Sequence, residues 1–133
     1  MKLELSRRTD LALHSLRVLA ARGERLPRTE LAEAAGTSPD FLAKVLAPLV
    51  RERWLASEPG RGGGYELAAD LTTKSMLELI TLTEGLPPDD RCVLQGSTCD
   101  AADPCALHDA WTEARSALYR TLDETTVAEH TRG

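Results

Sequence analysis

The stretch that decides the fold is Gly36-Thr-Ser-Pro-Asp-Phe-Leu-Ala-Lys44, which joins two short helical patterns. The first pattern ends at Gly36, because glycine readily takes the left-handed conformation that ends a helix. The second begins with Ser38 as N-cap and Pro39 at the first helical position, and its apolar residues recur at helical spacing to about Glu52. Two helices joined in this way have the spacing of a helix-turn-helix, although an ordinary helical hairpin has the same pattern.

A glycine-rich segment, Glu58-Pro-Gly-Arg-Gly-Gly-Gly64, follows the two helices. Short β-capable runs at residues 54–57 and 65–68 flank it and predict a hairpin with a long tip. The glycines leave Arg61 as the one cation of the tip, which suits insertion into a minor groove; a surface loop is the alternative. A phosphate-binding loop is excluded because the glycines precede a strand rather than a helix. The sequence therefore predicts a mainly α fold, a winged helix-turn-helix with a two-stranded wing, and a DNA-binding region over residues 1–70.

This fold assigns DNA contacts to particular residues. We expect Ser38, Asp40, Ala43 and Lys44 in the major groove, Arg61 in the minor groove, and Arg51 and Arg53 at the DNA backbone. Asp40 can accept from a cytosine amino group or merely cap its helix. Ala43 can only touch a thymine methyl, and Lys44 can meet guanine or a phosphate.

Composition and charge restrict the classes of protein that fit. The chain has 133 residues, of which 42% are hydrophobic and 4% aromatic, which favours one helical domain over a β-sandwich or barrel. The net charge of −5 conceals an asymmetry, because residues 1–61 hold eleven basic against eight acidic side chains and residues 62–133 hold five against thirteen. A basic first half suits a localised polyanion-binding face.

The sequence contains no sign of a membrane or export segment. No apolar run approaches the roughly 18 residues needed to cross a bilayer, and the first residues lack the apolar block of a secretory signal. We therefore expect a cytoplasmic location and no membrane partner.

Three cysteines and a histidine fall in one polar, irregular segment: Cys92, Cys99, Cys105 and His108. An odd number of cysteines in a reducing compartment does not suit a disulfide framework, and a polar loop gives thiols little to pack against. We interpret them as ligands of a soft metal, either zinc bound with His108 or an iron–sulfur cluster with a fourth ligand from elsewhere. The lack of a Cys-x-x-Cys pair favours the cluster. No oxyanion site accompanies the cysteines, so we expect no enzyme.

From Cys105 onward a long amphipathic helix is predicted, because apolar residues recur every three or four positions without proline or glycine. These residues are Leu107, Trp111, Ala114, Leu118 and Leu122. The same helix of a second copy is the expected cover, and a homodimer would suit a palindromic operator; packing on the first helix is the alternative.

The remaining regions follow from these assignments. Residues 71–91 form a connecting helix and loop, in which Thr72 or Thr73 is expected to cap the helix. Residues 92–108 form the cluster-binding loop, and residues 105–133 form the dimerisation helix and tail, all within one compact domain.

Over nearly its whole length the chain resembles the bacterial iron–sulfur winged-helix regulators that include NsrR and IscR. The resemblance is carried by Thr9-Asp-Leu-Ala-Leu13, Ser38-Pro-Asp-Phe-Leu-Ala-Lys44, Gly60-Arg-Gly-Gly-Gly-Tyr65 and three spaced cysteines before a long helix. It implies a DNA-binding transcriptional regulator, expected to be a repressor, whose homodimer is crossed by the long helices. It also implies that a cluster near the dimer interface controls operator binding.

The resemblance makes the three cysteines cluster ligands and offers two candidates for the fourth. In NsrR-like proteins an aspartate, here Asp10, completes a 4Fe–4S site from the other subunit. In IscR-like proteins a histidine, here His108, completes a 2Fe–2S site. The opening Thr9-Asp10 and the ending Thr126-Val-Ala-Glu129 are more similar to NsrR, which favours a 4Fe–4S cluster and nitric oxide sensing over IscR-like sensing of redox or cluster supply.

Two rival functions keep the same fold. One is a zinc- or thiol-based repressor, in which cysteine oxidation replaces cluster chemistry. The other is a regulatory subunit that binds an enzyme through the same helices. Iron and sulfide analysis distinguishes the zinc- or thiol-based repressor from an iron–sulfur regulator. Salt-dependent binding to promoter DNA would exclude the regulatory subunit.

Overall fold

Helices make up most of the structure, and a hairpin lies between the third and the fourth. The computed structural model describes residues 2–87, 92–94 and 102–131. The helices in these ranges are α1 (Arg7–Arg22), α2 (Arg28–Ala35), α3 (Pro39–Arg51), α4 (Met76–Thr83), α5 (His108–Glu124) and α6 (Val127–Thr131), and the strands are β1 (Leu55–Glu58) and β2 (Gly64–Leu67). The predicted mainly α winged helix-turn-helix with a two-stranded wing is confirmed.

Local caps fix the turn between α2 and α3. Gly36 follows α2 with φ of 78°, in the left-handed region that glycine tolerates best. The Ser38 Oγ accepts a hydrogen bond from the Phe41 N–H at 3.2 Å, and Pro39 is the first residue of α3, as predicted. Pro48 lies inside α3, which continues past it.

The apolar faces of the first three helices, α4 and the base of the hairpin share one core. It is almost entirely aliphatic, and its most buried leucines are Leu16, Leu19, Leu26, Leu31, Leu42, Leu46, Leu49, Leu55 and Leu79. Each fully buried leucine contributes about 2 kcal/mol relative to exposure. This packing sets the angle between α3 and the hairpin, because both elements bury their inner faces in the same core.

The wing is attached to the connection between α1 and α2. The backbones of Leu26 and Tyr65 exchange two hydrogen bonds of 2.9 Å, which adds an isolated bridge beside the β1–β2 pair. Arg25 pairs with Glu58 at 3.1 Å and with Glu66 at 2.6 Å, one acidic residue from each strand. The two-stranded wing predicted from the sequence therefore has a third backbone partner.

The start of α4 differs from the prediction. Residues 71–73 form a 3-10 turn, because the Asp70 carboxylate accepts from both the N–H and the hydroxyl of Thr72. The helix begins later, where Ser75 and Glu78 form a reciprocal capping box. Local side-chain bonds at Asp70 thus replace the helical cap expected at residue 72 or 73.

The C-terminal segment returns to the winged unit after α5. Residues 125–127 run antiparallel to residues 74–76, with the Met76 N–H donating to Thr125 O and the Val127 N–H donating to Lys74 O, both at 2.8 Å. Val127 is completely buried. The predicted long helix is therefore interrupted after Glu124, and α5 packs against α4. None of the helices in the described ranges is long and apolar enough to cross a membrane.

Gly64 tests the attachment of the wing. It has φ of 129°, and a Cβ built on it would lie 1.9 Å from the Leu26 carbonyl oxygen. We expect Gly64→Ala to lower the free energy of unfolding by about 3 kcal/mol, measured by urea denaturation. Gly62→Asn is the control, because Gly62 has φ of 78° and open space around it, and asparagine tolerates this conformation. Equal losses in the two variants would contradict the close approach.

Candidate DNA interface and cysteine site

The N-terminal end of α3 carries the residues predicted to enter the major groove. Asp40 and Lys44 are exposed, and Ala43 is partly exposed. Ser38 is also exposed, and its Oγ serves as the N-cap acceptor of the helix. The structure therefore brings the four predicted residues to one end of one helix.

Arg51 and Arg53 lie at the opposite end of α3. Both are exposed, and Arg53 has φ of 60°, which is unusual for a residue with a Cβ. A helix of 13 residues is about 20 Å long, so these arginines cannot read the same bases as Asp40. Arg51 also complements the negative end of the helix dipole, which is sufficient reason for a cation at that position.

The tip of the wing and the start of α2 enclose a cleft of about 370 Å³. Its walls are residues 27–29 and 58–64, and the exposed Arg61 is among them. Gly63 is buried there, and a Cβ on it would lie 2.2 Å from the Glu58 carbonyl oxygen. The glycines predicted to allow close approach of DNA therefore also allow the tip to close on itself.

Two arginines that the sequence analysis did not select lie beside the first turn of α3. The Arg28 Nη2 lies 3.0 Å from the Asp40 Oδ1, and the Arg8 guanidinium lies 5.9 Å from the centre of the Phe41 ring. Neither pair is close in sequence, so no spacing rule could have identified them. The basic side chains around α3 are more numerous than the helix's own sequence indicates.

Two of the three cysteines meet in the structure. Cys92 and Cys105 are separated by twelve residues in the sequence, yet their Sγ atoms lie 3.9 Å apart. Cys92 is buried and Cys105 is partly buried. Cys99 lies outside the described residues. The loop predicted to hold a metal therefore has two of its thiols side by side.

This sulfur spacing can be compared with the geometry of a metal site. Two thiolates bound to one tetrahedral ion at about 2.3 Å lie about 3.8 Å apart. The Cys92 and Cys105 thiols fit this arrangement, as for zinc or for one iron of a 2Fe–2S cluster. In a 4Fe–4S cluster each thiolate binds a different iron, so the two sulfurs would have to move apart.

The two candidates for the fourth ligand lie on different helices. His108 is the first residue of α5 and is partly buried, three residues after Cys105. Asp10 is exposed in the first turn of α1. Within the described residues, no three side chains of the metal-binding types converge on one point.

A hydrogen-bond network next to Asp10 joins the start of α1 to the end of α4. The buried Thr9 hydroxyl donates to the Glu84 carboxylate, and the Ser6 N–H donates to the same oxygen at 2.9 Å. The Thr83 hydroxyl lies 2.6 Å from that of Thr9. Partial burial raises the pKa of Glu84, but the hydrogen bonds from Thr9 and Ser6 outweigh it and lower the pKa below its ordinary value.

An apolar face remains uncovered on α5. None of the residues of this helix is fully buried, and the Leu118 and Trp111 side chains are 50% and 36% exposed. Together with Leu3 they line a groove of about 490 Å³. The stripe predicted from the sequence is therefore present. Of the predicted long helix, α5 packs on α4, and its last part, α6, packs on α1.

Winged-helix proteins bind DNA with an exposed helix and an adjacent wing, and this chain has both: the first turn of α3 is exposed, and the wing is attached at Leu26. The fold therefore defines the class as winged-helix DNA-binding proteins. Comparison of the sequence gives the family within that class. Residues 5–132 match the family described as Rrf2, iron-dependent transcriptional regulator, and the chain belongs to this family. The resemblance to NsrR- and IscR-type regulators is thereby confirmed, as is the expectation that the chain is a regulator and not an enzyme.

Individual relatives cover almost the whole chain. Protein aau3 of Rhizobium meliloti is 32% identical over 127 residues, which span 94% of this chain and 82% of the relative. The HTH-type transcriptional regulator IscR of Sodalis glossinidius is 31% identical over 121 residues, with coverage of 90% and 68%. IscR of Vibrio vulnificus is 28% identical, with coverage of 90% and 67%.

Solved structures support the fold. The crystal structure of Staphylococcus aureus CymR superposes with a TM-score of 0.74 at 25% identity and covers 96% of this chain and 98% of the other. The structure of T. potens IscR gives a TM-score of 0.70 at 22% identity, with coverage of 96% and 85%.

Glu84 provides a test of the network between α1 and α4. Because its folded pKa lies below the ordinary value of 4.5, its stabilising contribution is present above that pH and is lost as the pH falls through the folded pKa. We expect Glu84→Gln to lower the free energy of unfolding at pH 7 by less than about 1 kcal/mol, allowing for solvent screening of an exposed carboxylate.

The pH dependence separates this effect from a general loss of charge. The difference between wild type and Glu84→Gln should shrink below pH 4.5, measured by thermal unfolding across a pH series. Glu33→Gln, which changes an exposed glutamate of α2, is the matched control and should leave stability unchanged. A constant difference between wild type and Glu84→Gln at every pH would contradict the hydrogen-bonded carboxylate.

Proposed function

We propose that the chain is a repressor that binds a palindromic operator as a homodimer in the cytoplasm, under the control of an iron–sulfur cluster held by Cys92, Cys99 and Cys105. The observation that carries the proposal is the 3.9 Å approach of the Cys92 and Cys105 thiols within a regulator of the Rrf2 family. Thiolates are the ligands that soft metals prefer, and two of them side by side form half of a tetrahedral site.

The DNA-binding step uses the exposed end of α3 and the wing. Asp40, Ala43 and Lys44 enter the major groove, where base edges carry a distinct pattern of donors and acceptors. Arg61 enters the adjacent minor groove, and Arg51 and Arg53 contact the backbone. The attachment of the wing to Leu26 supports this proposal, because it holds α3 and the wing at a fixed separation in the absence of DNA.

The homodimer covers the apolar face of α5. A second copy of the same helix is the proposed occupant, because an exposed stripe of this kind on a regulator of palindromic DNA is explained by two-fold symmetry. Trp111 and Leu118 would be the central contacts, and Ala114 between them allows close approach of the two helices. The dimer sets the spacing of the two recognition helices on the operator.

The cluster itself has two proposed forms. The resemblance to NsrR supports a 4Fe–4S cluster completed by Asp10 of the other subunit. The spacing of the Cys92 and Cys105 sulfurs supports a 2Fe–2S cluster completed by His108, because the two thiols fit one shared iron. When bound, the cluster supplies iron that reacts with nitric oxide in the first form or changes redox state in the second.

The chain's own residues would carry this state to the DNA-binding unit. Glu84 lies at the end of α4, before the cysteine loop, and its bonds to Ser6 and Thr9 fix the start of α1. A change in the loop between residues 84 and 108 would therefore act on α1 through Glu84 and on α5 through His108. Moving these helices biases the dimer towards or away from the operator spacing.

The same distance favours a second candidate, a thiol switch. Two-electron oxidation by a peroxide would join Cys92 and Cys105, with both thiol protons leaving in water formed from the peroxide oxygens. The sulfurs would close from 3.9 Å to about 2.05 Å. In this function the disulfide replaces the cluster as the signal.

The first experiment determines the metal. We expect protein purified without oxygen to contain iron and acid-labile sulfide and to absorb visible light, and Cys99→Ala to abolish both signals. A cluster mass of 4Fe–4S that is lost in Asp10→Ala and bleached by nitric oxide identifies the NsrR-like form. A mass of 2Fe–2S that is lost in His108→Ala identifies the IscR-like form.

Two outcomes would contradict control by a cluster. A colourless protein containing zinc would identify a zinc-based repressor, and a metal-free protein whose DNA affinity responds to peroxide would identify the thiol switch. Native mass spectrometry separates all four states, because the added masses differ.

The second experiment tests the wing. We expect Arg61→Ala to weaken operator binding by about tenfold while leaving the visible spectrum unchanged, since one arginine in a narrow minor groove is strongly attracted there. The operator affinity of Arg61→Lys should lie between those of wild type and Arg61→Ala, because lysine keeps the charge and loses the planar guanidinium. Arg120→Ala removes the same charge from α5 as a control. Unchanged affinity of Arg61→Ala in fluorescence anisotropy would refute the assignment of Arg61.

A further inference from the structure

Arg28 lies between the two elements that are proposed to read DNA. It is the first residue of α2, and its Nη2 lies 3.0 Å from the Asp40 Oδ1 at the start of α3. It also lines the cleft of about 370 Å³ with Arg61 and the glycines of the wing tip. Its side chain is 49% exposed, so the guanidinium can reach a partner outside the protein.

A recognition helix in a major groove and a wing in the adjacent minor groove straddle one sugar–phosphate strand, because that strand is what separates the two grooves. Whatever lies between α3 and the wing must face its phosphates. We propose that Arg28 binds a backbone phosphate of this strand and at the same time neutralises Asp40. The inference rests on the proposed DNA-binding function and names a contact within it.

The chemistry of the pair supports this role. Arginine has five N–H donors in a planar fork, and the bond to Asp40 leaves others for a phosphate, which arginine binds in the same bidentate manner as a carboxylate. Asp40 is 91% exposed, and without Arg28 its carboxylate would face the phosphates unpaired. Arg28 therefore allows a recognition helix with an acidic first turn to approach DNA.

The other charges at the cleft do not oppose a phosphate there. Glu58 is the one acidic residue among the residues lining the cleft in the described part of the chain, and Arg25 pairs with it at 3.1 Å. Arg61 adds a second cation to the same walls. The cleft is thus basic overall, and Arg28 on its α2 wall also contacts Asp40 at the start of α3.

This role changes the assignment of Asp40. By residue type Asp40 could read a cytosine amino group, but in the structure its carboxylate accepts a hydrogen bond from Arg28. In the proposed complex Asp40 makes no base contact of its own, and its carboxylate is a negative charge beside the phosphates that Arg28 neutralises. Removing Asp40 and removing Arg28 should therefore have opposite effects on DNA affinity.

The experiment measures affinity by fluorescence anisotropy across a salt series, with a duplex selected by the wild-type protein from random DNA and with a duplex of unrelated sequence. We expect Arg28→Ala to weaken binding to both duplexes by about five- to tenfold and to reduce the salt slope by about one, as for one lost phosphate contact. Asp40→Ala should bind no more weakly than wild type. The double variant should bind more tightly than Arg28→Ala alone, because it lacks the unpaired carboxylate.

Arg22→Ala is the matched control. Arg22 pairs with Glu30 of α2 at 3.3 Å and is similarly exposed, so its removal breaks an equivalent ion pair away from the cleft. We expect its affinity for DNA to remain within about twofold of wild type, as for a residue without a phosphate contact. Arg28→Gln, which keeps hydrogen-bonding capacity without charge, replaces Arg28→Ala if that variant does not fold.

Three results would overturn the inference. The first is that Arg28→Ala leaves both the affinity and the salt slope unchanged. The second is that Arg28→Ala alters only the preference at a single base pair. The third is that Asp40→Ala relaxes the preference at one base position, which would show that Asp40 contacts a base. Failure of the proposed function looks different, because wild type itself would then bind the selected and unrelated duplexes equally.

Discussion

The side of this protein that is proposed to face DNA depends on one close approach of two backbones. Leu26 and Tyr65 exchange a pair of hydrogen bonds, and the chain can come this near only because Gly64 has no Cβ. The contact ties the wing to the segment that starts α2, and the shared aliphatic core ties α2 to α3. The wing and α3, which are proposed to read DNA together, are therefore held by the same core, and the cleft lined by Arg28 lies between the wing tip and the start of α2.

A second set of contacts connects the winged unit to the C-terminal half. Glu84 bonds to the start of α1, and residues 125–127 pair with residues 74–76 just before α4. Both ends of the segment that carries the cysteines are thus anchored to the winged unit. Hydrogen bonds and the completely buried Val127 together make this link.

Much of the fold could be predicted because its signals are local. The turn between α2 and α3 follows from Gly36, Ser38 and Pro39, whose conformational preferences act within a few residues. The hairpin follows from its glycines in the same way. The start of α4 was predicted wrongly at Thr72 or Thr73, because Asp70 forms a competing local turn that periodicity does not reveal. The break after α5 was also missed, since it depends on pairing with residues about fifty positions earlier.

The sequence by itself determined the winged helix-turn-helix, the cationic wing tip and the grouping of thiols in one polar segment, because these depend on local conformation and residue type. Only the tertiary structure decided which groups meet across the chain. It placed Arg28 on Asp40, Glu84 on Thr9, and the Cys92 thiol beside that of Cys105. No spacing rule connects such partners, because packing of the core, rather than position in the sequence, brings them within bonding distance.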